Sequence, residues 1–187
     1  MTATEQPEPF DPDFPRYLPS ESLPAYRHIP GHTAHPFNDA GGHSYGQEPD
    51  PAQVDSDAEN WRDNPDYLRG VDLFNQAYWW EAVHCWQALW GPACPVTKHY
   101  LQGLISISEA LLHHHLRDRD AMMVHAASGE ESLTQALNAT VGDVYMGLNL
   151  QHFLKLLDTF FEPFEADDIG AAAFDQPSAF AQIRLIL

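Results

Sequence analysis

Residues 65–90, PDYLRGVDLFNQAYWWEAVHCWQALW, decide how the chain folds. Asn64 followed by Pro65 is an N-cap and a first-turn residue, and Tyr67, Leu68, Val71, Phe74 and Ala77 recur at helical spacing behind them. This predicts a first helix over 65–76. Over 78–90, Trp79, Ala82, Val83, Trp86, Leu89 and Trp90 share one broad apolar arc, and Gly91 and Pro92 stop the second helix. Trp86 and Trp90, near the middle of that arc, are expected in the core.

Working toward the C-terminus, Pro95 opens a third helix with Tyr100, Leu101, Leu104, Ile107, Leu111 and Leu112 on one face. Its other face carries Lys98, Gln102, Ser106, Glu109 and His113. Asp118 caps a fourth helix whose stripe, Met122, Ala126, Gly129, Leu133 and Ala136, suits close helix packing. Gly142 and Asp143 are expected to begin a fifth, with Tyr145, Met146, Leu150, Phe153, Leu154, Leu157, Phe160 and Phe161 on its buried face. The fold class is therefore all-α. It is a five-helix bundle over 61–165, opened by a tight hairpin similar to a single tetratricopeptide repeat without further copies. The tail over 166–187 reads as a last helix or an extended strap.

Toward the N-terminus the texture differs. Ten of the fifteen prolines precede residue 61, in a stretch with two adjacent glycines at 41 and 42 and no apolar periodicity. Residues 1–60 are thus an extended arm ending in an acidic linker over 48–60. Tyr17, Leu18, Leu23, Tyr26, Ile29, Phe37 and Tyr45 dot the arm, which implies that it docks on a partner surface, and within a monomer that surface is the body.

Composition excludes several function classes. Nine Lys and Arg against 27 Asp and Glu give a net charge of −18, which repels a phosphate backbone and an anionic membrane surface. Neither nucleic acid nor membrane is an expected partner. The first residues lack both a basic region and an apolar stretch, so a cytoplasmic location is expected. Cys85 and Cys94 fit neither a redox nor a zinc spacing and read as reduced thiols. No nucleotide-binding glycine motif, serine-hydrolase elbow or zinc-protease motif occurs.

Glu81 and His84 stand one turn apart on the second helix, and Glu109 and His113 one turn apart on the third. Two side-by-side helices would let these four converge in a groove, either as metal ligands or as solvated faces. In the arm, His32, His35, Asp39 and His43 are either ligand-type residues or turn formers beside Pro36 and the glycines. The run His113 to His115 ends a helix, and periodicity turns His115 inward and His113 outward.

Residues 69–90, RGVDLFNQAYWWEAVHCWQALW, and 100–115, YLQGLISISEALLHHH, together resemble the domain of unknown function 309 family of small helical bacterial proteins. Gly70, Leu73, Phe74, Asn75, Glu81, Ala82, Trp90, Gln102, Gly103, Leu104, Ile105 and the three histidines carry the likeness, over roughly residues 66–140. The arm segment YRHIPGHTAHPFNDAGGHSYG, residues 26–46, is similar to that of some members. The resemblance implies a fold and no activity or cofactor. Val83, His84 and Gln87 depart from its pattern of His and Glu. Two classes of function remain. One is a non-enzymatic module binding a peptide or small ligand through Glu81, His84, Gln102, Glu109, His113, His35 and His43. The other is a metal-dependent hydrolytic or redox enzyme built on the Glu and His pairs.

Overall fold

A computed structural model describes residues 6–47, 57–91, 93–166, 174 and 182–187. Five α-helices dominate: α1 (Pro65–Asn75), α2 (Trp79–Trp90), α3 (Pro95–Leu116), α4 (Arg119–Ala139) and α5 (Leu150–Phe161). Asn64 caps α1 by accepting from the Tyr67 amide at 3.0 Å, with Pro65 in its first turn. α1 and α2 form the expected hairpin. It turns through Ala77, which has φ of 62°. Trp86 is fully buried, its indole N–H donating to the Tyr67 carbonyl at 3.4 Å. A Cβ at Gly70 would lie 2.2 Å from that nitrogen, so only glycine admits the ring there.

Trp90 departs from expectation: it is 41% exposed, with the Lys98 ammonium over its ring. The bond from Trp86 to Tyr67 sets residue 86 level with the first turn of α1. One turn further along α2, roughly 6 Å, lies beyond the start of α1, which leaves the indole to Lys98 and solvent.

α3, about 33 Å long at 1.5 Å per residue, is the central strut. α4 starts where Asp118 accepts from the Ala121 amide, and its stripe of Met122, Ala126, Gly129, Leu133 and Ala136 is buried against α3 as expected. The fifth helix starts later than Gly142. A two-stranded hairpin, β1 (Val144–Tyr145) and β2 (Leu148–Asn149), precedes it, and Asn149 caps α5 by accepting from the His152 amide. Met146 and Gly147 form its turn with φ of 45° and 80°, the left-handed pair that suits a two-residue hairpin.

The described end of the tail is an extended strap. The Asn75 side chain donates to the Ile183 carbonyl and accepts from its amide, and Leu185 bridges Leu148. Parts of the tail, 167–173 and 175–181, lie outside the described residues, as does the linker over 48–56. The rest of that linker is in part a 3-10 helix, Ala58–Asp63, which buries Trp61.

The arm lies on the body along α1 and α2. Buried Asp72 accepts from the amides of Tyr17 and Leu18 at 2.7 and 2.8 Å, Tyr78 donates to the Pro24 carbonyl, and Ile29 is fully buried. Tyr45, at 56% exposed, and Phe10, at 36%, are the least covered large apolar residues in the described arm. No described helix is long and apolar enough to cross a membrane.

Candidate functional site

The polar side of α2 divides between two environments. Glu81 is buried beneath the arm, where Oε1 accepts from the His28 amide at 2.9 Å and meets His43 Nε2 at 3.2 Å. Its Oε2 is buried with no hydrogen-bond partner among the described residues. Burial raises the Glu81 carboxyl above its usual range, a cost the two arm contacts only partly offset. Helical periodicity leaves Glu81 open between a metal ligand and a solvated face, because it cannot see a covering segment without periodicity of its own.

Around the neighbouring Trp80 ring stand His84, His28 and His35, with centroids at 3.9, 4.6 and 5.4 Å. Phe37 completes the cluster, 5.7 Å from His84. His28 sits on the Thr33 hydroxyl and the Ala34 carbonyl, and burial lowers its pKa. His35 takes the turn-forming role: its Nδ1 accepts from the amides of Phe37 and Asn38, and its own amide donates to Asp39. His43 is tied to Glu81 and to the Ser44 hydroxyl. His35 and His43 thus hold the arm on α2.

Beyond this seam, α2, α3 and α4 enclose a groove of about 310 Å³. Trp79, Trp80, Val83 and Leu112 give its apolar wall, and His84, Gln87, Glu109, His113 and His125 its polar one. Pro30 of the arm closes the remaining side. Three of the residues singled out from sequence, His84, Glu109 and His113, do meet here. Glu81 is engaged with the arm instead. Gln102 lies half-buried along α3, donating to the Ser106 hydroxyl at 3.2 Å, and lines no part of the groove.

His125 escaped the sequence reading. It lies on α4 beside inward-facing Ala126, one turn after Met122, and that position was its only signal. Its Nδ1 meets Glu109 Oε2 at 3.0 Å. The His113 ring stacks on it, 5.2 Å away and within 10° of parallel. His113 Nδ1 is buried without a hydrogen-bond partner, 3.6 Å from the Asp118 carboxylate. Burial, and then the charges that His35 and His28 would carry, lower the pKa of His84.

An imidazole binds a metal close to its own ring plane, and parallel planes do not meet, so His113 and His125 cannot share an ion as they stand. Among the described residues no group of three or more His, Cys, Asp or Glu is placed to hold one. At the end of α3, His115 buries its Nε2 as expected, and His114 turns inward as well. The His114 ring packs among Phe160, Phe164 and Phe174, and burial pushes its pKa down to about 4.

Residues 67–125 match the model of a family described as a domain of unknown function, DUF309. The match spans α1, α2, α3 and the start of α4, and ends on His125. It includes every bundle residue of the groove but not the arm. No curated protein and no solved structure matches the chain.

Proposed function

We propose that this protein is a non-enzymatic module that binds a small ligand in the groove between α2, α3 and α4, with the arm as its fourth wall. One observation carries the reading: apolar walls and six polar side chains, Ser108 among them, meet from three helices around a single cavity of about 310 Å³. That volume is at the lower end of the range for small-molecule sites, and mixed walls of this kind are their usual composition. It suits one small molecule better than a length of peptide. A metal-dependent enzyme built on the Glu and His pairs would have to share Glu81 with the arm, which holds its Oε1. Free thiols at Cys85 and Cys94 accord with a cytoplasmic setting.

The test is a fragment screen by ligand-observed NMR on the full chain, repeated on Gln87→Trp. Gln87 is exposed at the groove, so the new indole fills the cavity without entering the core. Hits that bind the wild type and are lost in the variant support the reading. Hits that bind both equally, or no hits at all, overturn it.

A further inference from the structure

We infer that the ligand of this groove is a small organic cation, an amine or guanidinium compound. The inference rests on the groove being the binding site, and follows from which hydrogen-bonding roles the groove has left to offer.

The Nδ1 of His125 lies 3.0 Å from a Glu109 oxygen. A carboxylate only accepts, so the imidazole hydrogen belongs on Nδ1 and the neutral ring keeps a lone pair at Nε2. The Glu109 carboxylate thus sets the His125 ring to present an acceptor. Glu109 itself is part-exposed in the groove wall and adds a formal negative charge. Among the described residues no Lys or Arg lines the groove. An anion would therefore meet Glu109 with no permanent cation to balance it.

The apolar wall points the same way. Trp79 and Trp80 both line the cavity, and an indole attracts a cation through its ring quadrupole. At longer range the chain's net charge of −18 draws cations toward the surface and repels anions. A donor-rich, positively charged molecule thus finds an imidazole acceptor, a carboxylate and aromatic rings within one cavity. Neutral and anionic molecules of the same size find less.

Three probes of matched length test this: 1,4-diaminobutane, 1,4-butanediol and succinate, with agmatine as a guanidinium analogue. They are titrated into the full-length protein, following the indole N–H resonances of Trp79 and Trp80 by NMR and the affinity by calorimetry. Saturable binding of the diamine or agmatine alone is expected, weakened at least about tenfold in Glu109→Gln, since a bond to a charged group is worth roughly 1.5–3 kcal/mol. Binding that persists unchanged in Glu109→Gln is association with the acidic surface at large and overturns the inference. Saturation of the groove by the diol or by succinate overturns the cation class while leaving the groove a ligand site. Should no probe move the indole resonances, the cation class falls, and the fragment screen with Gln87→Trp decides separately whether the groove binds anything.

Discussion

Two carboxylate–imidazole contacts flank α2 and serve opposite ends. Glu81 meets His43 at 3.2 Å with side chains 6% and 9% exposed, whereas Glu109 meets His125 at 3.0 Å with both about one-third exposed. The chemistry is the same and the solvent differs. In the seam, the arm has removed water from Glu81, so the contacts from His28 and His43 are needed to hold the carboxyl there. In the groove, water still reaches Glu109, and the pair contributes little to stability while remaining open to an incoming molecule. Burial turns one pair into a fastening and exposure leaves the other as a site.

The largest expected effect lies beneath both. Trp86→Ala removes the fully buried indole that joins α1 to α2 and should cost about 3–5 kcal/mol by chemical denaturation, loosening seam and groove together. A loss under about 1 kcal/mol would mean that the hairpin does not support either.

Acid provides the next test. The His114 ring, buried among phenylalanines, has its pKa depressed to about 4, so the unfolded chain binds that proton more readily than the folded one. The stability it contributes is fully present above about pH 6.5 and is lost progressively as pH falls through 4. The shift corresponds to about 3 kcal/mol at full extent. His114→Leu should flatten this part of the acid-unfolding curve while leaving the arm's protease sensitivity at pH 7.5 unchanged. An acid response of the same size in the variant would place the sensitive group elsewhere.

Glu81→Ala strikes the seam directly. It leaves the His28 amide without its acceptor and is expected to cost about 1–3 kcal/mol. Limited proteolysis should then cut the arm faster while α3 and α4 stay protected. Glu109→Gln, the smallest, should change stability by less than about 0.5 kcal/mol.

How much of this is legible in the sequence depends on whether a residue's surroundings repeat with a local period. Trp86 and the α4 stripe obey the 3.6-residue rhythm, Asn64 carries a local capping signal, and all were found where these put them. His84, Glu109 and His113 were brought together by the same rhythm applied to adjacent helices. Trp90 was misplaced and Glu81 left open because what covers or uncovers them is set by tertiary contacts: the end of α1 short of one, the arm over the other. The hairpin at Tyr145 to Leu148 was read as helix because its apolar residues suit either period, although Gly147 after Met146 offered a turn signal. His125 completes the groove from α4, and nothing local to it announces Glu109.

The separation of fastening from site can be measured in one experiment: hydrogen–deuterium exchange of the arm amides over residues 26–45, compared among the wild type, Glu81→Ala and Glu109→Gln. The account predicts faster exchange across that segment in Glu81→Ala and wild-type exchange in Glu109→Gln. Equal acceleration in both variants would contradict it, because Glu109 would then be holding the fold together rather than standing open for a ligand.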